Sequence, residues 1–240
     1  MMTTTTGVPH TPKQPVPDRS AVTGAHDGML FGAAAGIFFV VISIVANFLP
    51  GSPPASDASA AQIASYFRDH AGAIKAQNLL AAAGILGLLW WFGALWRLLS
   101  DAEDGRPRLA TVAAVALSIG IALALLDAVA VLTATLRFGT ADATTGTLWT
   151  LSYVSIAGAG IGIGTSLLAT SVLTARAHIG PRWVTVLGAL AAVLFLIAST
   201  AIASTNRRLN EVNLLAFLTW CIWIVAISVV MARPSARSAR

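Results

Sequence analysis

The chain of 240 residues carries 15 Lys and Arg against 10 Asp and Glu, a formal net charge of +5. Only 10% of its residues are charged and 56% are hydrophobic, with a mean hydropathy of +0.77. Soluble chains carry about 25% charge, so an ordinary soluble globular domain is excluded and lipid is the expected solvent. The pI near 10.3 does not indicate nucleic acid, because the basic residues sit singly or in pairs at loop ends and form no single face.

The amino tail, residues 1–28, opens with MMTTTTGVPHTPKQPVPDRS, which is Thr- and Pro-rich without an apolar period. It reads as a disordered cytoplasmic tail. Its length, Asp18 and Asp27, and the long apolar run that follows argue against a secretory leader. Ala58-Ser59-Ala60 offers a small-residue cleavage pattern that keeps a cleaved leader open as the alternative.

Six apolar stretches follow, at about 29–49, 76–97, 110–135, 148–173, 183–204 and 213–232. At ~1.5 Å per residue, roughly 20 residues cross the ~30 Å hydrocarbon core. The stretches lack the period-two alternation of barrel strands, which leaves helices as the way to satisfy the backbone in lipid. The expected fold is an all-α, six-transmembrane-helix bundle over 29–232, ending in a basic cytoplasmic tail at 233–240. Lys and Arg number ten on the side of the termini (Lys13, Arg19, Arg97, Arg106, Arg108, Arg176, Arg182, Arg233, Arg237, Arg240) and five on the other (Arg68, Lys75, Arg137, Arg207, Arg208). That bias places both termini in the cytoplasm, with Trp96 and Trp183 at the inner interface and Trp149 at the outer one.

Only the first outer loop is long enough to hold structure. After Pro50 and Pro53-Pro54 it carries Ile63, Tyr66, Phe67, His70 and Ile74 on one helical face, with Ser59 and Gln62 spaced as a capping box. The spacing predicts a short amphipathic helix on the membrane surface or over the outer mouth of the bundle. His70 stands without a second His, Cys or suitably placed acid, so no metal site is expected.

Packing signals are stronger than chemical ones. Gly32 and Gly36 in the first span, and Gly158 with Gly162 and Gly160 with Gly164 in the fourth, form small-xxx-small pairs. The two pairs of the fourth span lie on opposite sides, because two residues turn a helix by ~200°. The fourth span is therefore expected at the bundle centre, clasped on both faces. GAGIGIG is not a dinucleotide fingerprint: Ile163 occupies a required glycine position and no strand precedes it.

Asp127 is the one acid within a span, and such residues face the bundle interior and often mark a pathway. Its helical neighbours Leu123, Ala124, Ala130 and Val131 cannot hydrogen-bond through their side chains, so a side-chain partner must come from another helix. Counting depth from the span ends nominates Ser43, Ser155, Ser199, Thr200 and Thr219, with Asn47, Asn78, Tyr153 and Asn213 nearer the outside. Together these predict an outward-facing polar cavity, closed toward the cytoplasm by Leu, Val and Ala. Trp220 and Trp223 lie too deep for the interfacial belt; they either wall this cavity or pack in the core. Asp127 itself is either a buried carboxyl held by one interhelical hydrogen bond or a ligand, proton or cation site.

Histidines 10, 26, 70 and 178 all lie outside the spans, which leaves intramembrane bis-histidine haem ligation and a Ser/His protease without support. The lone Cys221 excludes a dithiol pair and reads as a packing residue. No cofactor is expected. The first span ending in NFLPG, the AAQIASYFRDH segment and the five closely spaced spans that follow resemble a group of uncharacterised bacterial six-helix membrane proteins of the domain-of-unknown-function type. Arg outnumbers Lys thirteen to two beside abundant Ala, which suggests a high-G+C actinobacterium. The resemblance implies the fold and a plasma-membrane location and supplies no activity. The expected function is that of a non-enzymatic interaction, sensory or ligand-binding subunit. Its expected partners are the bilayer, a small-molecule or lipid ligand, and a membrane protein or a second copy of the chain; the alternative is a small proton- or cation-coupled transporter using Asp127.

Overall fold

The computed structural model describes residues 19–55, 58–103, 106–137, 143–203 and 208–233. These residues form seven α-helices and no strand: α1 (Arg19–Phe48), α2 (Ala60–Asp69), α3 (Ala71–Asp101), α4 (Arg108–Leu136), α5 (Ala143–Ala177), α6 (Arg182–Ser199) and α7 (Arg208–Ala232). A 3₁₀ turn, Thr200–Ala203, continues α6. All but α2 are long and apolar enough to cross a membrane. Large apolar side chains such as Phe31, Leu79, Trp90 and Val186 stand exposed on their outer faces, as a lipid-facing surface requires. The architecture is a helical bundle suited to a multi-pass membrane protein.

Helix ends differ from the apolar limits read in the sequence. α1 begins at Arg19, so the last ten residues of the predicted disordered tail are helical; residues 1–18 and 234–240 of the two predicted tails lie outside the described residues. The segment after Pro17 holds no further proline, and hydropathy marks where lipid starts, not where a helix does. α3 and α5 each start five residues before their apolar cores, at Ala71 and Ala143. α6 ends at Ser199, and the predicted end of its span, residue 204, is not among the described residues.

The six long helices form a ring in which α1 meets α3 and α7, α4 meets α5, and α6 lies between α5 and α7. The α4–α5 interface is the most extensive. Of the apolar window of α5, 67% is buried inside the bundle, against 28% for α3 and for α4. Its glycines account for this. A Cβ on Gly162 would stand 2.5 Å from the backbone N of Gly120 and 2.6 Å from the carbonyl oxygen of Ala116, so α4 and α5 touch backbone to backbone. On the other side, Gly160 and Gly164 lie against the carbonyl oxygens of Phe195 and Ala192 in α6, at 3.0 and 3.1 Å from where a Cβ would be. The two glycine pairs of α5 thus serve two different neighbours.

The glycines of α1 act differently. Gly36 seats the indole of Trp91, whose Nε1 donates to Ser228 Oγ of α7 at 2.9 Å. Gly32 admits the methyl of Ala94. Gly188 of α6 likewise lies under the indole of Trp223, and Trp91 and Trp223 meet edge to face at 5.8 Å. Four helices, α1, α3, α6 and α7, are pinned together by these two indoles, and α3 gains in Trp91 a side chain that is 1% exposed yet has its polar atom satisfied.

Candidate functional site

The site is built on the half of the bundle away from the chain termini. Ser59 opens α2 with the predicted capping box: its Oγ accepts from Gln62 N at 3.3 Å and its N donates to Gln62 Oε1 at 2.9 Å. α2 then lays Ile63 and Phe67 onto Ile74, Ala134 and Trp149, with the Phe67 and Trp149 rings edge to face at 5.9 Å. Trp149 Nε1 donates to the carbonyl of Ala55 at 3.4 Å, which ties the preceding loop to the same spot. The amphipathic helix caps the end of the α4–α5 pair. Among the residues predicted for its buried face, Ile74 belongs instead to the start of α3, and His70 is exposed at the junction of the two helices. His70 stacks on Tyr66 at 4.7 Å, and its Nδ1 lies 3.1 Å from the Tyr66 carbonyl oxygen. Burial of Tyr66 against the capping cluster raises its phenol above the usual 10.0.

Below this cap, Ser152 Oγ of α5 donates a hydrogen bond to Asp127 Oδ1 of α4. The antiparallel register set by Gly120 against Gly162, and continued by Leu123 against Gly158, brings the two residues level. Asp127 is part-buried and Ser152 is buried, 6% exposed. The carboxyl therefore forms a polar rung of the α4–α5 interface, as an interhelical partner requires.

The partners nominated by depth sit elsewhere. Ser199 Oγ donates to Leu196 O, Thr200 Oγ1 to Ile197 O and Thr219 Oγ1 to Leu215 O, each at 2.7 Å and within its own helix. Asn78 donates to Ile74 O. Ser43 lies between α1 and α3 beside Gly84, Asn47 is exposed, and Asn213 is part-exposed. Ser155 is buried one turn deeper than Ser152 on α5, and the enclosed Tyr153 hydroxyl has no hydrogen-bond partner. Trp220 packs against Phe39 at 5.4 Å and Phe195 at 5.8 Å. Of the nominated residues, then, none supplies the hydrogen bond to Asp127; it comes from Ser152, with Ser155 one turn away on α5 and Tyr153 on the face that Gly160 turns toward α6.

Depth counted from Leu148, where hydropathy rises, points to Ser155 and passes over Ser152. Counted from true helix ends, Asp127 lies nine residues before Leu136 and Ser152 nine after Ala143. The opposite half of the bundle is also more polar than its Leu, Val and Ala content suggests. Ser166, Thr170, Ser171, Thr174 and Ser228 are buried there, and Ser166 and Thr170 line a void of about 10 Å³ with Trp91, Trp220 and Trp223. That volume is about one water. Among the described residues no cluster of three His, Cys, Asp or Glu could hold a metal ion. Comparison with protein-family models, curated proteins and solved structures gives no match.

Proposed function

We propose that this is a non-enzymatic, multi-pass protein of a bacterial plasma membrane, with both termini in the cytoplasm. It acts as a ligand-binding or sensory subunit through the Asp127–Ser152 rung beneath α2. The observation that carries the reading is the placement of a membrane-embedded carboxyl directly below a separately capped helix that is docked by a few aromatic contacts. A small ligand, a lipid or the extracellular part of a membrane partner would be read by the carboxyl and the hydroxyl of Ser152. Displacement of α2 would report its binding. Support for the membrane and its sidedness comes from the six apolar helices and the ten-to-five charge bias.

The second reading is a proton- or cation-coupled transporter using Asp127. Tight packing of Trp91, Trp220, Trp223, Phe39 and Phe195 across the other half of the bundle weighs against an aqueous path. Proteoliposomes loaded with a pH-sensitive dye separate the two readings. The subunit reading expects no proton or cation flux above empty vesicles. It also expects a molecule that co-purifies in mild detergent with wild type and is lost from a stable Asp127→Asn variant. Flux abolished by Asp127→Asn would establish the transporter instead.

A further inference from the structure

We propose a binding site for one anionic phospholipid in the groove between the start of α6 and the end of α7. The groove has a volume of about 440 Å³ and is lined by Trp183 of α6 and Ile222, Val225, Val229 and Val230 of α7, with Arg233 at one end. It is a built concavity. Gly180, held at φ +76°, sets the α5–α6 turn against Val230, with contacts of 3.0 Å to the space a Cβ would need, so the turn closes the end of the groove.

Three observations commit the groove to lipid. Its wall is exposed hydrocarbon: Trp183 is 57% and Ile222 59% exposed on the outer face of the bundle, where bilayer would lie. Its length fits one leaflet, because the eleven steps from Ile222 to Arg233 rise about 16 Å at ~1.5 Å each, against ~15 Å for half a ~30 Å hydrocarbon core. Its charge is one-sided: the only charged lining residue is Arg233, whose guanidinium meets no acidic side chain among the described residues, and Arg182 directly precedes Trp183. An acyl chain fills the apolar strip, the indole of Trp183 lies at headgroup level, and the guanidinium takes the phosphodiester. This is the arginine-rich end of the bundle, shared with Arg97, Arg106, Arg108 and Arg176, which the charge bias assigns to the leaflet rich in anionic lipid. The site lies at the opposite end from Asp127 and is independent of the function proposed for that residue.

Native mass spectrometry of the delipidated full-length protein in mild detergent tests the proposal, with phosphatidylglycerol and phosphatidylcholine of identical chains as probes. Wild type should hold one phosphatidylglycerol in preference to phosphatidylcholine. Arg233→Gln should cut that preference about fivefold, the fold-change that corresponds to ~1 kcal/mol for one basic residue at a membrane surface. Val229→Trp, which fills the strip, should lower occupancy by both lipids. Arg97→Gln, at the same end but outside the groove, should leave both unchanged. Arg233 is exposed, so its variant should melt with wild type. An undiminished preference in Arg233→Gln, an equal loss in Arg97→Gln, or a second copy of the chain in place of the lipid would overturn the proposal.

Discussion

Gly162 and Gly158 lie one turn apart on the same face of α5, and replacing each by alanine makes unequal demands on α4. A methyl on Gly162 would meet backbone at 2.5, 2.6 and 2.8 Å, whereas ordinary contact begins near 3.4 Å, so the two helices must part by about 0.9 Å. A methyl on Gly158 would meet only the tip of the Leu123 side chain, at 3.2 Å, and a rotamer change relieves it. Both substitutions bring the same gain in helix propensity, about 0.8–1 kcal/mol in water, which cancels in their difference. What remains is the overpacking cost, commonly ~1–3 kcal/mol. For a chain of this size that corresponds to a separation in Tm of roughly 3–9 °C, at about 3 °C per kcal/mol. Thermal unfolding in one detergent should therefore rank Gly158→Ala at or above wild type and Gly162→Ala well below it. The Asp127–Ser152 rung, set by the same register, should loosen in Gly162→Ala alone. Midpoints within about 1 °C of each other, or in reversed order, would refute backbone contact at Gly120.

Three further outcomes are expected. In a Cys221→Ser background, a cysteine at the exposed Ser52 should react with an impermeant maleimide in intact cells and one at the exposed Asp101 should not; the reverse pattern would invert the topology. His178 holds φ +53° where α5 ends in a Schellman turn, with Ile179 N donating to Thr174 O at 3.0 Å, a place that glycine occupies at lower cost. His178→Gly should accordingly raise stability by about 1 kcal/mol, read from the melting midpoint, and a lower midpoint would show that the imidazole makes a contact worth more than the strain. Because the folded phenol of Tyr66 is raised above 10.0, its contribution to docking α2 is fully present below pH 10 and lost as pH climbs through the raised value. Trp149 fluorescence should report an alkaline transition that Tyr66→Phe abolishes; an unchanged transition in that variant would assign it to another group.

The parts of this fold that were legible in the sequence are those governed by local rules. Six apolar stretches specify six helices because lipid leaves the backbone no other partner, and Ser59 with Gln62 specifies the start of α2 because both groups of a capping box lie within one turn. The opposite sides of Gly158/Gly162 and Gly160/Gly164 follow from helical geometry alone, and the fold supplies the partners, α4 and α6. Long-range contacts carry no such signature. Trp91 and Ser228 are 137 residues apart, and nothing in either segment marks a tryptophan seated on Gly36 rather than at the lipid interface. The α4 start, where Glu103 Oε1 and Oε2 accept from Leu109 N and Ala110 N at 3.1 and 2.9 Å, depends on an acid that lies outside the helix it caps.

Asp127 shows how the two kinds of information combine. Its chemistry requires a partner from another helix, and that much is readable from the apolar residues around it. Which partner it finds depends on register, and register is set ten residues beyond Ser152 along α5, at Gly162, where a missing side chain lets two backbones touch. Depth counted from hydropathy carries an error equal to the helical length that projects beyond the apolar core, five residues for α5. That exceeds one turn, so hydropathy points to Ser155 where the helix presents Ser152. The carboxyl and the glycine are therefore one feature of the α4–α5 pair: close approach fixes the register, and the register decides that a hydroxyl meets Asp127.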